Sequence, residues 1–346
     1  MQRFHWLAPN PPAVIARESG RSSRLGRPFL AAILLAAATL GASAQPYPSR
    51  PITFISPYAA GGGIDLLARL LALRLQERLG QPVVVENKPG AATGIAASSL
   101  ARAAPDGYTV MLATSTTMAI NVAIYKALPY DPARDLAPVA HVATSPFVLV
   151  VNPALPIHSV DELVAYAKAH PGELNYGSSG VGSFHHLSAE LLASRAGIAM
   201  THIPYKATPP ALNDVIAGRI QLMFGDVTST LPQVAAGKLR ALGVSTAQRL
   251  ASAPGIPPLA EAGLPGFDSA SWQMVVAPAA TPMPIVALLN RTLHDILGEP
   301  AVRTELARRG LIPVATDPPE QLQGFVRAEI VRWGDLVKRS GAAASQ

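Results

Sequence analysis

From Ile52 onward, short apolar and β-branched runs alternate with longer Ala/Leu-rich stretches whose apolar positions recur at helical spacing. That rhythm predicts an α/β fold with mainly parallel strands flanked by helices. Strands are expected at 52–55, 83–86, 109–113, 147–151, 175–177, 201–203, 222–224, 241–244 and 273–276. Helices are expected at 64–79, 94–103, 160–169, 184–196, 210–217, 284–297, 301–309 and 319–338. In the first helix Leu66, Leu67, Leu70, Leu71, Leu75 and Leu79 form the stripe of a core-facing surface. Two stretches break the rhythm: FVLVV at 147–151, and WQMVVAP at 272–278 after a Pro/Gly-rich loop. They bracket a middle block, so the chain is expected to cross twice between two lobes. One lobe would hold 45–146 with 273–346, the other 147–272. A cleft between two such lobes is a common ligand site.

Residues 1–44 stand apart from this pattern. Arg17, Arg21, Arg24 and Arg27 precede an apolar run at 29–40, shorter than the roughly 20 residues of a membrane span. Ala42-Ser43-Ala44 then places small residues before Gln45, the pattern of a cleavable secretory signal. The expectation is export, with cleavage near Ala44–Gln45, and residence in the periplasm if the cell has an outer membrane. No later apolar run is long and uninterrupted enough to span a bilayer. Of the net charge of +6, the five Arg and one Glu of residues 1–44 account for +4, which leaves +2. No basic tract remains to recruit nucleic acid. The absence of cysteine excludes disulfides, thiolate metal sites and a cysteine nucleophile. A chain of this size can bury enough apolar area to fold without them.

The candidate chemistry lies in three loops that follow strands. In SPYAAGGGIDLLAR (56–69), Gly61, Gly62 and Gly63 separate a strand from a helix. A backbone free of Cβ atoms turns sharply there, and the helix start offers N–H groups to an anion. NYGSSGVGSFHHLSAELL (175–192) repeats the plan with Gly177, Gly180, Gly182 and the hydroxyls of Ser178, Ser179 and Ser183. A third loop, ATSTTMAIN (113–121), carries Ser115, Thr116, Thr117 and Asn121. Open α/β sheets bind ligands at such strand ends. The side chains are almost all neutral hydrogen-bonding groups.

Enzymatic motifs are missing. There is no G-x-S-x-G elbow, no phosphate-binding G-x-x-x-x-G-K-[ST], and no G-x-G-x-x-G, because Gly180-Val181-Gly182 runs into Ser183-Phe184-His185. His185 and His186 would point about 100° apart on a helix. His186 and Glu190 at i,i+4 make only two metal ligands. His186 is read as a helix-start residue bonded to nearby backbone. Asp65, in a first helical turn, either shapes its loop or reaches a ligand ammonium or water. Asp226 either caps the next helix or meets a polar ligand group. Tyr58, Tyr205 and Trp272 either wall the cleft or pack, and Lys206 is read as a solvated strand-end lysine. No catalytic residue, metal ligand or cofactor is expected.

At this point the sequence resembles a family, the substrate-binding proteins of tripartite tricarboxylate transporters, or Bug receptors. The resemblance rests on SPYAAGGGIDLLAR, VVVENKPGA, AAPDGYTVML, AINVAIYKALPYDPARDLAPV, LNYGSSGVGSFHHLSAELL, IPYKATPPALNDVIAGRIQLMFGD, LPQVAAGKLRALGVS and SWQMVVAPAATPMPIV, in that order. It implies a two-lobed periplasmic binding protein fold, type II-like, that closes over a small carboxylate. It places Tyr58, Ala60, Gly61, Gly62 and Asp65 on the first ligand loop. Ser178, Ser179, Gly180, Gly182, Ser183 and His186 fall on the second. Ser115, Thr116 and Asn121 fall on the third, and Tyr205 and Asp226 on flanking motifs. Where the family often has Pro and Gly, this chain has Ala60 and Ala207. Phe184-His185 replaces smaller polar residues, which suggests that Phe184 narrows the pocket or stacks on an aromatic acid.

The implied function is a monomeric receptor, not an enzyme. It would deliver a di- or tricarboxylate, aromatic acid or acidic amino acid to permease subunits. A membrane sensor kinase is the alternative partner, and a secreted enzyme the remote alternative.

Overall fold

The run ITFIS forms β1 (Ile52–Ser56), buried on both faces at four of its five positions, as a central strand of an α/β sheet must be. The chain continues through α1 (Gly63–Leu79), β2 (Val83–Asn87), α2 (Gly94–Ala101) and β3 (Thr109–Thr114). A π-helical turn, Thr116–Ile120, leads through α3 (Asn121–Ile124) to β4 (Leu136–Ser145). Next come β5 (Phe147–Val151), α4 (Val160–Ala169), β6 (Asn175–Ser178), α5 (Phe184–Ala196) and β7 (Thr201–Pro204). After these lie α6 (Thr208–Ile216), β8 (Leu222–Asp226), α7 (Val227–Ala235) and β9 (Arg240–Val244). The chain ends with β10 (Ser271–Pro278), α8 (Met283–Gly298), α9 (Pro300–Arg308), β11 (Ile312–Pro313) and α10 (Pro319–Arg339). This computed structural model describes residues 47–205 and 207–339. The expected export signal, Lys206 and the tail Gly341–Gln346 lie outside the described residues.

The strands form two sheets, ordered β11-β4-β10-β3-β1-β2 and β7-β6-β8-β5-β9. Both are mixed rather than mainly parallel. β1 pairs parallel with β2 and β3, and β6 with β7 and β8. β10 runs antiparallel to β3 and β4, β11 to β4, and β5 to β8 and β9. The cause is the route of the chain. β5 and β10 each arrive from the other sheet instead of through a helical crossover, which is what parallel pairing requires. β4, β11 and α7 are elements that the sequence pattern did not predict.

The chain passes from the first sheet to the second at Pro146 and returns through 245–270. The two passages lie side by side. Ser271 and Trp272 pair with Ser145 and Thr144, the Phe147 N–H donates to Ser245 Oγ at 2.9 Å, and the Ser269 N–H to the Ser245 carbonyl at 2.8 Å.

Period-two alternation divides the core. Phe54 packs with Leu67, Leu71 and Leu75 of α1, while its neighbour Ile55 joins a different cluster with Met111, Leu149, Tyr176 and Phe224, shared by both sheets. Leu70 and Leu79 lean on the first cluster; Leu66, at 42% exposure, leaves the stripe. Helix α10 adds Leu322, Val326 and Trp333 to the shared cluster. Its buried Glu329 accepts from Trp272 Nε1 at 2.7 Å and Trp333 Nε1 at 2.8 Å. Trp272 is therefore a core residue with a satisfied indole and does not wall a cleft.

Candidate functional site

The first loop is built around a buried carboxylate. Asp65 Oδ2 accepts from the Gly61 N–H at 2.8 Å and from Arg69 Nε at 2.9 Å. Its Oδ1 accepts from Asn87 Nδ2 at 2.7 Å, and the same amide donates to the Tyr58 carbonyl at 2.9 Å. Burial pushes the Asp65 carboxyl up, but the bonds from Arg69, Gly61 and Asn87 outweigh it and hold the pKa at about 2. Both oxygens serve the protein, so Asp65 shapes the loop. Gly61 has φ +84, a left-handed conformation that favours glycine. A Cβ on Gly61 or Gly63 would meet nothing within 4 Å, so this side of the loop is open. Ala60 and Gly62 are exposed beside it. Helix α1 starts from Gly62 without a side-chain cap, which leaves its first N–H groups without intrahelical partners.

The second loop is held from below by a stack of rings. Ser178 Oγ meets His202 Nε2 at 2.6 Å and accepts from the Gly180 N–H at 3.1 Å. His186 Nδ1 accepts from the Gly182 N–H at 3.1 Å, and Ser183 Oγ caps α5 by accepting from the His186 N–H at 3.4 Å. Tyr176 stacks on His202 at 4.9 Å, and His202 on His186 at 4.1 Å. Burial pushes both imidazoles down to about 4, with His202 further lowering His186. A neutral ring is what an Nδ1 acceptor requires. His186 is thus bonded to nearby backbone and faces inward. Phe184 is buried against Phe147 at 5.6 Å and Trp333 at 4.5 Å. It therefore belongs to the core, which corrects the expectation that it narrows the pocket or stacks on a ligand.

The expected third loop is the π-helical turn. Thr117 Oγ1 meets Thr93 Oγ1 at 2.8 Å and accepts from the Thr114 N–H at 3.2 Å. Buried Asn121 donates to the Ala92 carbonyl at 2.8 Å and to Tyr130 Oη at 3.1 Å. These bonds restrain Ala91, Ala92 and Thr93, three successive non-glycine residues at φ +46, +44 and +77. Such a conformation costs about 1–2 kcal/mol per residue. Ser115 is buried and bonds Ser271 Oγ at 2.9 Å.

Tyr58, in the loop after β1, feels the charge of Asp226, at the end of β8 in the other sheet. The Tyr58 hydroxyl is raised by burial, drawn back by the hydroxyls of Thr114 and Thr116, and raised again by the charge of Asp226. Tyr58 is 37% exposed and the Asp226 side chain 41% exposed. Both reach water, and burial is the first influence on each. Burial raises the Asp226 carboxyl, but His185 and Thr208 more than compensate, and the carboxyl sits below its ordinary range. His185 Nε2 lies 3.5 Å from Asp226 Oδ2 and 3.4 Å from Thr208 Oγ1, and its Nδ1 is 2.9 Å from Ser179 Oγ.

Two glycines mark close approach between the same parts of the chain. A Cβ on Gly182 would overlap the Ile124 side chain, and one on Gly310 would press on Val227 at 2.9 Å. Tyr205 instead donates to Asp214 Oδ2 at 2.7 Å; burial and then Asp214 push its pKa up to about 12.

Sequence reasoning did not place Thr114, His185 or Thr208 in this set. The His185-His186 doublet carried a signal, since adjacent helical residues face different ways. A depression of about 610 Å³ beside Val122, Tyr125 and Arg134 is lined by none of the expected site residues. Among the described residues, no group of three or more His, Cys, Asp or Glu could hold a metal ion. No described helix is long and apolar enough to cross a membrane.

A family model described as tripartite tricarboxylate transporter family receptor matches residues 67–342. Protein BugT of Bordetella pertussis is 40% identical over 313 residues, covering 90% of this chain and 96% of its own. Among solved structures, Rpa4515 of R. palustris with adipate has a TM-score of 0.78 at 40% identity, over 86% of this chain and 99% of that one. MatC (Rpa3494) from Rhodopseudomonas palustris with bound malate has a TM-score of 0.73 at 34% identity, over 84% of this chain and 100% of that one.

Proposed function

The chain belongs to the tripartite tricarboxylate transporter receptor family, and we propose that it captures a small carboxylate between two lobes and delivers it to a membrane permease. The lobes are taken as the parts built on the two sheets, with the passages at Pro146 and 245–270 as the hinge. The observation that carries the reading is the influence of the Asp226 charge, at the end of β8 in one sheet, on Tyr58, in the loop after β1 of the other, beside a first glycine loop that is open on one side. The relatives with adipate and malate make a carboxylate the ligand class for this chain.

Capture proceeds by differential closure. Each lobe supplies part of the donor set, so only the closed arrangement is complete, and ligand shifts the population toward it. Backbone N–H groups at the starts of α1 and α5 would meet the carboxylate with charge-assisted bonds of roughly 1.5–3 kcal/mol each. A few of these, less the work of closure, reach the micromolar range of about −8 kcal/mol. Binding, not turnover, is the activity. The mature protein would begin near Gln45 and act in the periplasm as a monomer.

Mass spectrometry of small molecules released from gently purified, then denatured protein tests the reading. A thermal-shift panel of di- and tricarboxylates, aromatic acids and acidic amino acids completes it. The expected result is a carboxylate in the released fraction and a matching rise in melting temperature. A panel in which no carboxylate raises the melting temperature would sink the proposal.

A further inference from the structure

The second loop hangs on a group that can accept a hydrogen bond in only one of its two charge states. His186 is buried in the first turn of α5, and its Nδ1 accepts from the Gly182 N–H at 3.1 Å. An imidazole that accepts at Nδ1 carries its proton on Nε2. That nitrogen lies 4.0 Å from Glu190 Oε1, one turn further along α5, and the same oxygen accepts from the Tyr176 hydroxyl. Three titratable groups therefore face the ring: Glu190 from its own helix, Tyr176 from β6, and His202 from β7, which stacks on it at 4.1 Å. Asp226 meets the neighbouring His185 instead. His202 in turn bonds Ser178 Oγ through Nε2 at 2.6 Å. Ser178 and Gly182, at the two ends of the loop, thus rest on two stacked imidazoles. Gly182 also abuts α3, where a Cβ would overlap Ile124.

We infer that the His186–His202 stack is a proton-operated latch on the second loop: closed while both rings are neutral, and released, with loss of the captured ligand, when His186 takes up a proton at Nδ1. The inference rests on the receptor reading above and adds a control to it. A protonated imidazole donates from both nitrogens and accepts at neither, so the Gly182 N–H must leave. The new charge is met through Nε2 by Glu190, which gives the released state a counter-charge inside the protein. Burial opposes that charge while the loop is down, and the stacked His202 opposes it further, so the latch holds at neutrality. Once the loop lifts, water reaches the rings and their proton affinity returns to the ordinary value of about 6.5. The latched state is therefore fully favoured above about pH 6.5 and gives way as pH falls toward the latched values of about 4. A receptor built this way keeps its ligand at neutral pH and lets go of it in acid.

Two measurements test this. Nitrogen-15 NMR follows the His186 ring and the Gly182 amide of the native protein, without ligand, as pH is lowered from about 7.5. Both signals are expected to change together below about pH 6.5, while near-ultraviolet circular dichroism still shows an intact fold. Isothermal titration with malate, adipate, succinate and glutamate at about pH 7.5 and 5 then compares the native protein with His186→Asn, whose side-chain oxygen offers Gly182 an acceptor that does not titrate. Between the two pH values the native protein should lose affinity about ten-fold more than the variant. Protonation of the acid itself is common to both proteins and cancels in that ratio. A His186 ring that stays neutral, with an unchanged Gly182 amide, down to the pH at which the fold is lost would overturn the inference. So would equal pH dependence in a folded His186→Asn. Either result leaves the receptor reading standing, and the NMR titration keeps the test decisive if His186→Asn does not fold. Failure of all four acids to bind the native protein at either pH would overturn the ligand control together with the receptor reading.

Discussion

Gly182→Ala separates two effects that a single substitution usually mixes. The first is local. Gly182 has φ +74, so an alanine there costs about 1–2 kcal/mol wherever the loop keeps this conformation. The second is an overlap of the new methyl with Ile124 of α3, a residue on the other side of the proposed cleft. Crowding of this kind costs about 1–3 kcal/mol, with the low end favoured because the atom met is the free end of a side chain. If the lobes part without ligand, only the first cost appears in the stability of the empty protein. The overlap appears in ligand affinity, as a loss of about 5- to 150-fold. Ile124→Ala removes the overlap and leaves the backbone cost in place. The assay is a double-mutant cycle by isothermal titration, using the tightest carboxylate found for the native protein, with urea melts of each empty variant alongside. Affinity in the double variant should recover toward that of Ile124→Ala alone. Purely additive affinities would refute the idea that closure brings these two residues together.

Three further outcomes are expected. His186 and His202 have folded pKa values near 4, below the ordinary value of about 6.5. The unfolded chain therefore takes up protons first; stability is intact above pH 6.5 or so and declines as pH falls toward 4. Melting temperatures recorded across that range should fall, and less so in a His186→Gln/His202→Gln variant; parallel profiles would contradict the stack's role. Asp65→Asn should lower stability by about 1–3 kcal/mol in urea melts, through weakened bonds to Gly61 and Arg69; an unchanged midpoint would count against that network. Glu329→Ala leaves two buried indole N–H groups without their acceptor, at roughly 1–3 kcal/mol each. Trp272 and Trp333 are the tryptophans beyond residue 44, so a fluorescence shift on this substitution reads the loss directly.

The helices and parallel strands were legible in the sequence because each has its own period and punctuation. The FVLVV run and the helices at 160–169 and 184–196 match their observed bounds. What escaped notice was decided by partners far along the chain. β4 contains Pro138 and His141 and carries register shifts against β10; proline within a strand is tolerated at such irregularities but reads as a break. α7 begins Val-Thr-Ser-Thr and contains Pro232, which local propensity disfavours. At the site, glycines at positive φ were foreseeable from the loop pattern. The inward turn of His186, the outward turn of Asp226 and the involvement of Phe184 in a core depend on side chains from other elements, to which local spacing is blind.

β10 has a consequence for the order in which the molecule can be assembled. It lies between β3 and β4 in the first sheet, yet leaves the ribosome well over a hundred residues after either. Until it arrives, β3 and β4 each present an unpaired edge, and unpaired edges invite association with other chains. A growing chain of this design cannot finish its first sheet early and lock. It stays open until its end is made, and the interval before β10 docks is the period in which a chaperone is most needed.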